Sequence, residues 1–191
     1  MQPTDPLRHV EHWVFDLDNT LYPARSNLFA QIDQRMGEYI RSHYDLPEAE
    51  AKALQKRLFR DYGTTLRGLM NERAVDPGPF LEFVHDIDIS AIGPSPTLAA
   101  ALADLPGRKI VFTNGSVRHA ERVLGRLGVV SQFDGIFDIV AADYVPKPDP
   151  GPSVRERGSR TRRGNPASGA LFLVIIIGTL GWYVIKRLRR R

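Results

Sequence analysis

Three short apolar segments, each followed by a polar motif, constrain the fold of this chain. They cover 13–17, 109–112 and 136–141, and stretches with helical periodicity separate them. Apolar strands that alternate with helices are typical of a parallel sheet whose faces are covered by those helices. The sequence therefore predicts an α/β fold built on a Rossmann-like parallel sheet.

A helical insertion is predicted between the first and second strands. Its helices are expected over 28–40, 47–62, 65–73 and 79–86. Helices joined by such short connections are typical of a small bundle. The predicted domain organisation is a core formed by residues 1–22 and 93–150, interrupted by a helical cap over residues 23–92.

Two carboxylates stand at the end of the first predicted strand. Asp16 and Asp18 are one residue apart, and the alternation of a strand points both side chains to the same face. The two charges repel each other unless a cation or a turn relieves them. The pair indicates a site that handles phosphate and a divalent metal, and the alternative is a strand end that enters an Asx-type turn.

Polar residues also follow the second and third predicted strands. Thr113, Asn114 and Gly115 come directly after the second strand, and Lys147 comes a few residues after the third. Taken alone, the first motif is compatible with a plain turn and Lys147 with a solvated loop lysine. Because ligands collect at the carboxyl ends of parallel strands, the three positions together favour one functional site.

These motifs resemble the first three motifs of the haloacid dehalogenase-like hydrolase superfamily. The chain reads FDLDNTLY over 15–22, VFTNG over 111–115 and VPKPDP over 145–150, in that order. The helical insertion resembles the C1-type cap of the superfamily. The segment YGTTLRGL over 62–69, together with LYP over 21–23, is similar to the pyrimidine 5′-nucleotidase-like branch.

The resemblance implies a phosphomonoester hydrolase that acts through an aspartyl-phosphate. Asp16 would be the nucleophile and Asp18 the general acid and base. Thr113, Asn114 and Gly115 would bind the substrate, and Lys147 would neutralise the transferring group. Mg²⁺ would bind Asp16 and the main-chain carbonyl of Asp18. The implied substrate is a nucleoside monophosphate or a similar small phosphate ester.

The fourth motif of the superfamily, an acidic pair after a fourth strand, is not found in the sequence. Asp149 and Glu156 are the only acids after Lys147, and no apolar strand precedes either. We therefore expect a truncated sheet, an open edge on the first strand and impaired activity. The alternatives are a working phosphatase anchored in a membrane, a non-catalytic phosphate-binding module tethered to a membrane, and a truncated or frameshifted inactive product.

The C-terminal part of the chain differs in composition from the rest. Residues 151–191 hold 10 of the 26 Lys and Arg residues but one of the 22 acidic residues, so residues 1–150 are net acidic although the chain carries +4. We expect a basic disordered linker over 151–168, a single transmembrane helix over 169–186 and a basic tail over 187–191.

These features lead to expectations about partners and location. An acidic domain is not expected to bind nucleic acid, and the expected partner is a small phosphorylated metabolite. The expected location is a cytoplasmic catalytic domain held at a membrane by the C-terminal span. No cysteine is present, which excludes disulfides and thiolate chemistry. The sequence predicts no oligomeric state.

Overall fold

The computed structural model describes residue 7, residues 10–147 and the backbone of 172–178 and 181–185. The strands are β1 (His12–Phe15), β2 (Arg108–Phe112), β3 (Gly135–Phe137), β4 (Phe172–Gly178) and β5 (Gly181–Ile185). The helices are α1 (Leu28–Tyr44), α2 (Glu48–Tyr62), α3 (Thr65–Arg73), α4 (Pro77–Val84), α5 (Pro96–Asp104) and α6 (Val117–Leu127). The segments predicted as a basic linker, 151–168, and as a basic tail, 187–191, lie outside the described residues.

The strands form one five-stranded sheet in the order β3-β2-β1-β4-β5. Strands β1 to β4 run parallel, and β5 is antiparallel to β4. In the register of β1, Val14 is level with Ile110 of β2 and with Val174 of β4. The predicted parallel α/β arrangement is therefore confirmed, and β1 lies at the centre of the sheet, with the carboxylates placed directly after it.

The prediction of a transmembrane helix over 169–186 is wrong. The structure forms β4 and β5 from 172–178 and 181–185, and no helix among the described residues is long and apolar enough to cross a membrane. An apolar run of this length is ambiguous between helix and strand, and β-branched residues over 174–177 favour the strand. Membrane anchoring through this segment is therefore not supported.

The open edge predicted on the first strand is also not observed. β4 pairs with β1 along the whole length of β1, from His12 to Phe15. An unpaired strand edge leaves backbone N–H and C=O groups without partners, and pairing with an apolar segment of the same chain satisfies them. The sheet is thus not truncated at β1, because residues 172–175 cover the edge that was expected to be open.

The four helices α1 to α4 lie between β1 and β2 in the chain and pack on one another. The helix α2 ends at Tyr62, and its C-cap Gly63 adopts a left-handed conformation with φ 81°. A Cβ at Gly63 would lie 3.1 Å from Cγ of Pro146, so this helix end contacts the loop that carries Lys147. Glycine is required here by the positive φ and by the close approach.

The third strand is shorter than predicted, since β3 ends at Phe137 rather than Ala141. The carboxylate of Asp138 accepts hydrogen bonds from the backbone N–H of Ala141 at 2.8 Å and of Val117 at 3.0 Å. An Asp side chain that accepts a hydrogen bond from a backbone N–H a few residues later in the chain stabilises a turn. This turn directs the following residues back towards β1 and so brings Lys147 to the strand ends.

Candidate active site

Residues from three separate parts of the chain meet at the carboxyl ends of β1 and β2. Lys147 forms an ion pair with Oδ1 of Asp16, although 131 residues separate them. The same ammonium donates to the backbone carbonyl of Phe112, the last residue of β2, at 2.7 Å. The predicted convergence of the motifs is therefore observed for Asp16, Asp18, Thr113 and Lys147.

Asp16 is paired with a cation and is largely withdrawn from solvent. Its side chain is 15% exposed and that of Lys147 is 10% exposed. Oδ2 of Asp16 accepts a hydrogen bond from Oγ1 of Thr20 at 3.2 Å. The carboxylate is thus held by a positive charge on one oxygen and by a hydroxyl on the other, which fixes its orientation.

Among the described residues, the hydrogen-bond partners of the Asp18 side chain include Tyr22, His119 and Thr113, and these three are neither lysine nor arginine. Oδ1 lies 2.7 Å from the hydroxyl of Tyr22 and 3.0 Å from Nε2 of His119. Oδ2 accepts a longer hydrogen bond from Oγ1 of Thr113, at 3.4 Å. Asp16 and Asp18 therefore occupy different electrostatic environments although they are one residue apart.

Burial and hydrogen bonding have opposite effects on Asp18. Burial raises its pKa, but the hydrogen bond and charge of His119 and the hydrogen bond from Tyr22 outweigh it, so that the pKa lies below the usual 3.8. Burial, and then the charge and hydrogen bond of Asp18, raise the pKa of Tyr22 far above 10. The phenol therefore keeps its proton and donates a hydrogen bond to an ionised Asp18.

The three residues predicted to bind substrate form a tight turn after β2. Thr113 is fully buried, and its hydroxyl accepts a hydrogen bond from the backbone N–H of Gly115 at 2.9 Å. The amide oxygen of Asn114 accepts from the backbone N–H of Lys147 at 2.9 Å. Asn114 thus ties the turn after β2 to the loop that carries Lys147, and this bond fixes the position of the lysine.

Two partners of Asp18 were not identified from the sequence. Tyr22 stands four residues after Asp18, and His119 lies in the first turn of α6, which starts just after the Thr113 motif. No sequence motif singles out His119, because the five histidines of the chain show no metal-ligand spacing. The signal available was its place, since the first turn of a helix that follows a strand end lies beside the site.

A cavity opens beside Lys147, between the helical insertion and the core. It has a volume of about 350 Å³. Its lining residues come from the α2–α3 junction and from the Lys147 loop: Asp61, Tyr62, Gly63, Arg67, Asn71, Pro146 and Lys147. A small ligand in this cavity would therefore contact both the insertion and the lysine that is paired with Asp16.

Metal ligands are few in the described part of the chain. Among those residues, no group of three or more His, Cys, Asp or Glu side chains lies together in a way that could hold a metal ion. The carboxylate of Asp16 and the backbone carbonyl of Asp18 are hard oxygen donors, the type that Mg²⁺ prefers. Any divalent ion here would depend on water and on the substrate for most of its ligands.

A parallel α/β fold with paired carboxylates and a lysine at its strand ends places this chain among the Rossmann-like proteins that bind ligands at that edge. Residues 10–155 match the sequence model of the haloacid dehalogenase-like hydrolases, and the chain belongs to that family. The resemblance noted in the motifs is thus confirmed.

Similar proteins include one curated relative and two solved structures. Phosphate metabolism protein 8 of Saccharomyces cerevisiae is 28% identical over 163 residues, which are 76% of this chain and 50% of the relative. The chain therefore spans about half the length of that relative. L-2-haloacid dehalogenase from Xanthobacter autotrophicus is 18% identical, with a TM-score of 0.41 over 74% of this chain and 61% of that chain. The hydrolase YfnB from Bacillus subtilis, bound to magnesium, is 16% identical, with a TM-score of 0.39 over 71% of this chain and 67% of that chain.

Proposed function

We propose that this chain is a phosphomonoester hydrolase that acts through an aspartyl-phosphate on Asp16. The observation that carries the proposal is the different pairing of the two carboxylates. Asp16 is paired with Lys147, whereas Asp18 is surrounded by hydroxyl and imidazole groups. Two acids with distinct environments can take distinct roles, one as nucleophile and one as proton carrier.

In the first step, an oxygen of Asp16 attacks phosphorus and the ester P–O bond breaks. The ester enters as its monoanion, and Asp18 passes the proton of that monoanion to the leaving oxygen, so that an alcohol departs. This route suits the lowered pKa of Asp18, which keeps the group ionised until the ester supplies a proton. Lys147 balances the charge on Asp16 and on the transferred phosphoryl group.

In the second step, water attacks the phosphorus of the aspartyl-phosphate. Asp18 accepts a proton from that water, and the bond between phosphorus and Asp16 breaks to release phosphate and the free carboxylate. Asp18 then loses its proton to solvent. The hydroxyl of Thr113 is hydrogen-bonded to Asp18, and this hydroxyl and the turn that follows it would contact the phosphoryl oxygens.

The residues at the site fit Mg²⁺ as a cofactor. Mg²⁺ commonly takes one or two protein oxygens and completes its shell with water and substrate phosphate. Asp16 and the main-chain carbonyl of Asp18 would hold it. When bound, the ion screens the negative ester from the attacking carboxylate. Since the described residues supply no third acid, we propose that Mg²⁺ binds weakly until the ester is present.

The proposed substrate is a nucleoside monophosphate or another small phosphate ester. The cavity of about 350 Å³ beside Lys147 is large enough for a leaving group of that size. We propose that residues 23–92 act as a cap on a core formed by 1–22 and 93–150, and that the cap residues lining this cavity select the leaving group. The name of the yeast relative, a phosphate metabolism protein, agrees with a phosphorylated substrate.

The test is phosphate release by the purified full chain. p-Nitrophenyl phosphate and a panel of nucleoside monophosphates are assayed with and without Mg²⁺. We expect turnover that requires Mg²⁺ and that falls at least about a thousandfold in Asp16→Asn. Asp104→Asn is the matched control, because Asp104 is exposed at the end of α5 and its substitution should leave turnover unchanged. Activity retained by Asp16→Asn would refute the proposed nucleophile.

A second candidate is a phosphate-binding module without turnover. The small number of metal ligands in the described part of the chain favours it. Its signature would be phosphate binding by calorimetry that depends on Lys147, combined with no Asp16-dependent release of phosphate from any substrate. Turnover that disappears in Asp16→Asn would exclude this candidate.

A further inference from the structure

His119 is a fully buried partner of Asp18. Its side chain is 0% exposed, and its Nε2 lies 3.0 Å from Oδ1 of the carboxylate. Tyr22 contacts the same oxygen at 2.7 Å, while Thr113 contacts the other oxygen at 3.4 Å. Tyr22 and His119 thus both bond to Oδ1. Tyr22 belongs to the loop that follows β1, as Asp18 does, whereas His119 comes from α6.

The hydrogen bonding of His119 is one-sided. An ionised Asp18 can only accept hydrogen bonds, so Nε2 of His119 carries the hydrogen that faces it, and Nδ1 is the other ring nitrogen. This Nδ1 is buried and has no hydrogen-bond partner among the described residues. A buried polar atom without a partner destabilises the fold. Nδ1 therefore contributes nothing to stability, and the favourable contact of this histidine is its hydrogen bond to Asp18.

Neighbouring groups fix the plane of the His119 ring. The ring of His85 stacks on it with centroids 4.5 Å apart and an interplanar angle of 15°. His85 is itself held by Ser116, whose Oγ lies 3.1 Å from Nδ1. On another side, a Cβ at Gly115 would lie only 3.2 Å from Cδ2 of His119. The imidazole therefore has little freedom to turn, and its Nε2–H has one fixed direction.

We propose that His119 is a positioning residue: its Nε2–H holds the Asp18 carboxylate in the single orientation from which Asp18 carries protons to and from the reacting oxygens. The proposal rests on the proposed function, since Asp18 is the proton carrier there. Without His119, Oδ1 keeps only the bond from Tyr22, which belongs to the same loop and moves with it. The carboxylate would then sample several orientations, and productive proton transfer would be less frequent.

The test compares two substitutions at one position in the full chain. His119→Leu removes the donor, whereas His119→Gln keeps an amide N–H near the place of Nε2. We expect kcat of His119→Leu to fall by about 10- to 100-fold with little change in KM, and His119→Gln to recover most of the loss. A positioning role predicts this split between kcat and KM, because Asp18 acts on the transition state more than on binding.

A control separates positioning from general destabilisation. Val123 lies in the same helix α6 and is fully buried. Val123→Ala should lower the melting temperature but leave kcat unchanged. Crystal structures of His119→Leu and His119→Gln supply a readout besides activity, with a displaced Asp18 carboxylate expected in the first variant and an unchanged one in the second.

The outcomes distinguish this inference from the proposed function. If the wild type shows Asp16-dependent turnover and His119→Leu retains the full kcat, the inference is wrong and the proposed function stands. An equal loss of kcat in His119→Leu and His119→Gln would also overturn it. If no substrate is turned over, the proposed function fails, and an unmoved Asp18 in the His119→Leu crystal then overturns the positioning role as well.

Discussion

The ion pair between Lys147 and Asp16 offers the sharpest test of how this site is assembled. Lys147→Met removes the ammonium but keeps a long apolar stem beside the ring of Phe112, which the ammonium approaches to 5.2 Å from the centroid. The substitution leaves the Asp16 carboxylate with a hydroxyl partner in Thr20 and without its cation. The perturbation is therefore electrostatic rather than steric.

The magnitude follows from the burial of the pair. Removing one partner from a buried ion pair costs about 3–5 kcal/mol, whereas exposed pairs contribute about 0–1 kcal/mol. With 10% and 15% of the two side chains exposed, the pair lies near the buried limit. We expect Lys147→Met to lower the free energy of unfolding by about 3 kcal/mol. The double variant Lys147→Met with Asp16→Asn leaves neither charge unpaired. The coupling energy between the two side chains, which is the difference between the double-variant effect and the sum of the single-variant effects, should therefore be about 2 kcal/mol.

The assay is urea unfolding of the wild type, both single variants and the double variant, followed by circular dichroism. The exposed pair of Arg57 and Glu72, with 39% and 27% of the side chains exposed, is the control cycle and should show a smaller coupling. If the effects of Lys147→Met and Asp16→Asn simply add, the two side chains do not interact in solution. The assembly of the site described above would then be wrong.

Three further predictions concern packing, pH and the sheet edge. Gly115→Ala places a methyl group 3.2 Å from the ring of His119 and should lower the free energy of unfolding by about 1–3 kcal/mol, measured by thermal unfolding. The control Gly125→Ala places its methyl group where nothing lies within 4 Å, and it should be neutral or stabilising. Burial, and then the charge of His119, lower the pKa of His85 to about 3 from 6.5, so the unfolded state binds a proton that the folded state does not. Stability should therefore fall as pH drops from 6.5 towards 3, by up to about 1.4 kcal/mol per pH unit, and the slope should be smaller in His85→Phe. Deleting 172–185 should speed hydrogen exchange of β1 amides that bond to β4, and unchanged protection would contradict the pairing.

Much of the site could be predicted because each part follows a strand end. The positions of Asp16, Asp18, Thr113 and Lys147 along the chain, together with strand alternation, were enough to place them at one edge. The roles of these residues remain proposals. Their immediate partners could not be predicted, since a hydrogen bond between His119 and a carboxylate 101 residues away depends on the packing of α6.

The C-terminal segment shows where local pattern is insufficient. Residues 169–185 form an uncharged apolar run. The composition of such a run is equally compatible with a membrane-spanning helix, a buried helix and a buried strand. The sequence prediction treated the segment apart from the sheet. The structure pairs 172–175 with His12–Phe15, because the free edge of β1 supplies backbone partners that no local pattern contains.

The sequence alone determined the α/β class, the helical insertion after the first strand, the family and the convergence of the motifs, because all of these depend on periodicity and on the order of short motifs. The tertiary structure alone decided which groups surround each carboxylate and which segment closes the edge of β1. These depend on hydrogen-bond donors and strand edges from distant parts of the chain. The Asp16 and Asp18 pair was visible in the sequence, and the difference between its two members was not.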